Sequence, residues 1–177
     1  MEIFKGRPAD TTGRSEREIR TYDMLDSLGI EYERTDHNRA RSMNELHTVD
    51  LTLGIMICKN LFLSNRQRTR FYLLMMPAGK PFKTCMVSPQ LGISRLSFAP
   101  EEYMERFLDL HPGSVSIMGL MNDREGRVSL IIDEDVVKEE YIGCHPCENT
   151  TSLKIKTEDI LNRFLPAVGH EPIIIRI

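Results

Sequence analysis

Ile57-Cys58-Lys59-Asn60-Leu61-Phe62-Leu63, a polar stretch from Ser64 to Thr69, and Phe71-Tyr72-Leu73-Leu74-Met75-Met76 form the passage that decides the architecture. Each apolar run has the length of a buried strand, and polar or turn-forming residues bound both. Pro77 and Gly79 close the second run, so the pair reads as a β-hairpin with Arg66, Arg68 and Arg70 at its tip. By default that tip is a solvated turn; its alternative is a surface facing RNA. Lys59 stands out within the first strand. Removing an ammonium from water costs several kcal/mol unless it is paired, so Lys59 either reaches the surface along its aliphatic stem or serves a bound anion.

N-terminal to the hairpin, residues 1–14 carry Gly6, Pro8 and Gly13 with little apolar pattern and read as an irregular lead-in. Ser15 and Glu18 have capping-box spacing, and Ile19, Tyr22, Leu25 and Leu28 recur at helical intervals until Gly29. Ile30 to Thr35 alternates as a strand ending near Asp36-His37-Asn38. Ser42 and Glu45 repeat the capping signal before a short helix through Met43, Leu46 and Val49.

C-terminal to it, the pattern predicts a helix over 81–91, a strand over 94–98, a helix from Pro100 through Leu108, and strands at 117–121 and 128–133. A strand over 152–155, a helix from Thr157 through Leu165 and a closing strand at 173–175 complete the chain. Hairpins mixed with short helices favour an α+β single domain over strict strand-helix alternation, with a largely antiparallel, barrel-like sheet and surrounding helices. Nothing in the composition divides residues 15–177.

The chain has 177 residues, 41% hydrophobic and 28% charged, and a formal net charge of −3. That charge argues against coating long nucleic acid, so no DNA partner is expected, but it leaves room for gripping a short single-stranded end. No segment approaches the roughly 20 apolar residues of a membrane span. The start of the sequence lacks a signal-peptide core, so the expectation is a cytoplasmic protein with its four cysteines reduced.

Cys144-His145-Pro146-Cys147 is the most conspicuous short motif, compatible with a redox pair or half a zinc site. Its context supports neither: Cys58 and Cys85 are isolated, and the pair falls late in the chain. His145, between Gly143 and Pro146, sits in a turn rigid enough to fix an imidazole. The loop Gly113-Ser114-Val115-Ser116 lets backbone approach a ligand closely, where successive N–H groups could hold a carbonyl oxygen or a water.

Lys59-Asn60-Leu61-Phe62-Leu63, Arg95-Leu96-Ser97-Phe98-Ala99, Pro112-Gly113-Ser114-Val115-Ser116, Gly119-Leu120-Met121-Asn122-Asp123, Gly143-Cys144-His145-Pro146 with Asn149-Thr150, and Gly169-His170-Glu171-Pro172 follow one another in a recognisable order. Together they resemble the YbaK/prolyl-tRNA synthetase-associated editing family, over nearly the whole chain from about Ser15. The resemblance is strongest to its free-standing members, which deacylate alanyl-tRNA(Pro).

That resemblance implies an aminoacyl-tRNA deacylase of the family's fold that needs no cofactor or metal. Its partner would be the acceptor end of tRNA(Pro), with prolyl-tRNA synthetase as a candidate second partner. Lys59 matches the family's essential lysine, implied to engage the terminal adenosine, and Asn60 its neighbour in the pocket. Gly113 and Ser114 match the loop that orients the ester and the attacking water. His145 matches the histidine of the Gly-x-His-Pro turn, and Asn149 and Thr150 the polar pair after it. The implied catalytic set is Lys59, Gly113 and His145; Asn60, Ser114, Asn149 and Thr150 would bind substrate. Many relatives carry proline shortly after the glycine loop, where this chain has Ile117. Alternatives are the same hydrolysis of Cys-tRNA(Pro) or another misacylated tRNA, and a non-catalytic tRNA- or synthetase-binding module.

Overall fold

A computed structural model describes residues 1–38, 51–56 and 58–177. The hairpin is at its centre. Strands β3 (Cys58–Asn65) and β4 (Phe71–Pro77) pair antiparallel in the register Phe62↔Leu73, and at the tip Asn65 Oδ1 accepts the N–H groups of Thr69 and Arg70. β4 explains its own continuous apolar run, because it is buried on both faces. Phe71, Leu73 and Met75 enter the main core, while Tyr72, Leu74 and Met76 enter a second cluster with Leu63, Val87, Leu96 and Ile175.

Around the hairpin, β5 (Leu96–Phe98) joins β3 antiparallel, while β6 (Val128–Asp133) joins β4 parallel and β9 (Ile173–Ile175) joins β6 parallel. A second sheet in the order β1-β2-β8-β7 is antiparallel throughout and contains β1 (Phe4–Lys5), β2 (Tyr32–Asp36), β7 (Tyr141–Cys144) and β8 (Thr151–Lys156). The fold is therefore α+β with mostly antiparallel pairing, as the hairpins implied. Among the described residues the sheets do not close into a barrel, and one parallel bridge, Met56 to Ile142, joins them. The main core fills the space between them with residues such as Leu153, Ile155, Phe107 and Phe164.

The first helix, α1 (Glu16–Ser27), starts where Ser15 Oγ accepts the Glu18 N–H and stops before Gly29 at φ 61°. Only half of a capping box forms. The Glu18 side chain, 1% exposed, turns into the protein and accepts from Arg14, from Tyr22 Oη at 2.6 Å and from Thr151 Oγ1 at 3.0 Å. Arg14 also binds Asp36, so the end of the lead-in is tied to β2 and β8, and β1 pairs within the sheet.

Besides β1, inside the stretch read as irregular, and β7, which the pattern does not predict, three helical segments differ from the sequence pattern. Residues 117–121 form part of a 3₁₀ helix (Ile117–Asn122), not a strand: Ser116 caps it by accepting the Met118 N–H, and a run buried on every side carries no period to read. The helix expected over 81–91 is reduced to α2 (Thr84–Val87) and a 3₁₀ turn at Pro89–Leu91, because Pro89 supplies no N–H to continue it. After α3 (Glu101–Leu108) and β6, a short α4 (Glu134–Lys138) follows, capped by Asp133, where the sequence pattern predicts no helix. The last helix, α5, runs over 157–167 with a π turn at Ile160–Phe164. The capping signal at Ser42 and Glu45 lies outside the described residues.

Candidate functional site

The beginning of β3 meets β7 at the seam between the sheets, beside the Met56–Ile142 bridge, and leaves a cavity of about 220 Å³ there. Lys59 and Asn60 line it from β3, Gly113 and Val115 from the loop after α3, and Gly143, Cys144 and His145 from β7 and its turn. Ile55, Cys58 and Ser152 complete the wall. Two glycines make this geometry possible. A Cβ on Gly143 would lie 2.4 Å from Ile55 Cδ1 and would push that side-chain end aside, and Gly113 adopts φ +88°, a left-handed conformation costly for other residues.

Lys59 does not end in bulk water. Its ammonium donates to the carbonyls of Ala78, at 3.2 Å, and Lys80, which occupies two of its three donors. The Lys80 carbonyl is itself held in place, since Lys80 Nζ binds Asp133 at 2.9 Å, Asp135 at 2.7 Å and the Ile177 carbonyl at 2.9 Å. Neighbouring Asn60 presents the opposite need. Its Oδ1 is buried and has no hydrogen-bond partner among the described residues, an acceptor that a ligand N–H or O–H would satisfy.

His145 is oriented by its backbone surroundings. Nδ1 lies 3.0 Å from the Thr151 carbonyl. A carbonyl can only accept, so Nδ1 carries the proton and Nε2 is the basic nitrogen of the neutral ring. Burial pushes its pKa below the ordinary histidine value, against the opposing pull of the Thr151 carbonyl. The neutral ring therefore prevails at neutral pH. Ser116 couples this turn to the glycine loop: its Oγ donates to the His145 carbonyl at 2.5 Å.

The structure brings Lys59, Asn60, Gly113 and His145 to one cavity. Ser114 and Asn149 stand behind it: Ser114 Oγ donates to the His111 carbonyl at 3.0 Å, and Asn149 Nδ2 would lie 3.9 Å from a Cβ on Gly113. Thr150 belongs to a different recess, shared with Arg14, Asp36 and His37. Sequence reasoning missed Ser152 and His37. Ser152 Oγ lies 3.0 Å from His37 Nε2, and the His37 ring centre is 6.3 Å from that of His145. The alternation of β8 groups Ser152 with Lys154, opposite the core residues Leu153 and Ile155, and a contact 115 residues away in sequence leaves no local trace, so neither position was legible.

Cys144 and Cys147 are buried. Burial pushes both thiols up, Cys147 to about 12, so neither is a ready nucleophilic thiolate at neutral pH. Among the described residues no group of three or more His, Cys, Asp or Glu could hold a metal ion.

A family model described as the aminoacyl-tRNA editing domain matches residues 37–162, and the chain belongs to that family. Among its relatives, the prolyl-tRNA editing protein ProX of Acetoanaerobium sticklandii is 28% identical over 82% of this chain and 88% of its own length. The prolyl-tRNA synthetase associated domain-containing protein 1 of Danio rerio is 28% identical over 86% of this chain and 83% of its own. A solved structure of a candidate trans-editing enzyme for prolyl-tRNA synthetase superposes with a TM-score of 0.67, covering 92% of this chain and 98% of its own, at 13% identity. That likeness extends to the fold.

Proposed function

We propose that this chain is a trans-editing hydrolase that releases alanine from mischarged tRNA(Pro), acting in the cytoplasm where translation runs. The carrying observation is the 220 Å³ cavity in which Lys59, Asn60, Gly113 and His145 meet. Family membership and the likeness to ProX support the same reading. Residues 15–177 are taken as the editing unit, and its substrate as the acceptor end of the tRNA, alone or presented by the synthetase.

The chemistry needs little more than position. Prolyl-tRNA synthetase rejects larger amino acids by size but cannot strongly exclude alanine, because each missing methylene weakens binding by only about 1–3 kcal/mol. A second, smaller site can then hydrolyse what the first admitted. An aminoacyl ester is already activated, so an oriented water and donors near its carbonyl suffice without a protein nucleophile. In this reading the third donor of Lys59 engages the terminal nucleotide, and Asn60 Oδ1 accepts from an N–H or O–H of the substrate. The left-handed turn at Gly113 carries backbone up to the ester, and the vicinal ribose hydroxyl helps to activate the water. His145, neutral, shapes and polarises the pocket. As the bond breaks, water supplies the hydroxyl of the free amino acid and a proton to the ribose oxygen.

The test presents purified protein in catalytic amounts with tRNA(Pro) charged with alanine, cysteine, serine or proline, and compares release rates. Alanine released over many turnovers with proline spared is expected. Preference for cysteine or serine would reassign the substrate, and protection without release would make the chain a binding module.

A further inference from the structure

The arginines among the described residues fall into two populations. Arg7, Arg14, Arg17, Arg20, Arg34, Arg163 and Arg176 are each ion-paired to a carboxylate. Arg66, Arg68, Arg70, Arg95, Arg124 and Arg127 are all exposed, and none has an ion-pair partner among the described residues. Strand register gathers these six at one place. Asn65 pairs with Leu96, which sets Arg66 beside Arg95, and Phe71 pairs with Val128, which sets Arg70 beside Arg127. Arg68 lies in the hairpin turn and Arg124 in the turn leading to β6. Arg106, also exposed and without an ion pair among the described residues, joins them: its guanidinium and that of Arg127 lie 5.6 and 5.5 Å from the centre of the Phe107 ring.

This end of the five-stranded sheet is therefore a basic rim on a chain whose net charge is −3. Exposed guanidiniums gathered at one end of the sheet set up a positive local potential that attracts a polyanion. The nearby carboxylate of Asp123 is turned inward, accepting the N–H groups of Arg127 and Val128 at 2.8 Å; Glu125 is the exposed acid of the same turn. Between Arg70 and Arg127 lies a depression of about 490 Å³ that also offers the hydroxyls of Thr69 and Ser129; Gln90 on its wall is spent on the Met86 and Arg176 backbone. A planar guanidinium flanked by hydroxyls is suited to bidentate capture of a phosphate.

We infer that this rim is a docking surface for the sugar-phosphate backbone of the tRNA's base-paired acceptor stem, separate from the cavity that takes the aminoacylated terminus. The inference rests on the deacylase reading for the identity of the RNA. Its geometry comes from β3, which has Lys59 near its first residue and Arg66 just beyond its last. Seven residue steps at about 3.3 Å place the two ends about 23 Å apart, a span that a few unpaired nucleotides cover. The rim reads backbone charge and shape, supplying affinity without choosing the amino acid.

The test compares wild type with an Arg66→Ala/Arg68→Ala/Arg70→Ala variant and an Arg124→Ala/Arg127→Ala variant. Uncharged tRNA(Pro) binding is measured across a salt series, and hydrolysis is measured on whole Ala-tRNA(Pro) and on 3′-O-alanyl-adenosine. The logarithmic salt slope should fall by about one for each phosphate that the variant no longer neutralises. KM for the whole tRNA should rise about tenfold or more at constant kcat, as expected for loss of uniform binding, with the adenosine ester unaffected. An unchanged salt slope and KM would overturn the inference, as would equal losses on both esters. Loss of binding to phosphatidylserine vesicles or polyglutamate with tRNA affinity intact would also overturn it. If wild type hydrolyses neither ester, the deacylase reading fails, while the salt series still decides whether the rim holds RNA.

Discussion

The two ends of β3 treat positive charge in opposite ways. At its start, two carbonyls hold the half-buried Lys59 ammonium, and the next residue, Asn60, lines a small cavity with its side-chain oxygen left open for a ligand. Beyond its last residue, Arg66, Arg68 and Arg70 stand in solvent without an ion pair among the described residues. The enclosed end is built for position and exclusion, which chemistry and selectivity require. The open end is built for affinity, since exposed charges steer and hold a polyanion without discriminating what it carries. Under the proposed function, one strand would separate choosing the amino acid from holding the nucleic acid.

The largest expected effect breaks this comparison at its enclosed end. Lys59→Ala should lower deacylation of Ala-tRNA(Pro) by about a hundredfold or more, as removal of a key electrostatic group does, with an unchanged circular dichroism spectrum. Unlike the rim variants, it should act equally on whole tRNA and on the adenosine ester. Equal rates for Lys59→Ala and wild type would remove Lys59 from the mechanism.

Next in size is a contrast between the paired and unpaired arginines. Arg14→Ala strands the buried Glu18 carboxylate and should cost about 3 kcal/mol in denaturant unfolding. The same measurement on Arg68→Ala should show a change within about 0.5 kcal/mol, as for an exposed site without partners. Comparable losses would mean that the rim is structural. Asp36 lies in the Arg14 network. Burial would raise its carboxyl, but Arg14, Arg34 and Thr151 outweigh that and hold it well below the usual carboxylate range. The folded pKa is lowered, so the stabilisation is present above the unfolded value near 3.8 and is lost as pH falls below it towards the folded pKa. Unfolding measured from neutral pH down to strong acid should show this loss in wild type and a smaller one in Asp36→Asn.

Gly113→Ala should cost about 1–2 kcal/mol, because alanine pays for the left-handed backbone at φ +88°, and should lower kcat more than it raises KM. The smallest effect concerns pH. His145 is neutral by burial, so activity should hold at neutral pH and decline only below the ordinary histidine pKa of about 6.5. A decline centred above that value would contradict the assigned protonation state. Cys144→Ser combined with Cys147→Ser should leave kcat unchanged, since neither buried thiol ionises in this range.

Much of this was legible in the sequence because it is local. The length and bounding turns of the Lys59 and Phe71 runs predict β3 and β4, Ser15 and Gly29 mark the ends of α1, and the matched motifs nominate Lys59, Asn60, Gly113 and His145, which do share a cavity. What was hidden is long-range or fully buried. The 117–121 run carries no polar side chain, so nothing in its pattern distinguishes a 3₁₀ turn from a strand. The Lys80 carbonyl that holds Lys59, the Thr151 hydroxyl that engages Glu18 and the Ser152–His37 contact all join positions far apart in the chain. The arginine rim falls between these cases: its residues are plain in the sequence, but only the pairing of β3 with β5 and β4 with β6 shows that they share one end of a sheet.

The most direct measurement is single-turnover release of amino acid from Ala-tRNA(Pro) and Pro-tRNA(Pro) by wild type and Lys59→Ala. Fast release of alanine by wild type alone, with proline retained by both proteins, is the result this account predicts. Equal release of alanine and proline, or alanine release that survives loss of the ammonium, would contradict it.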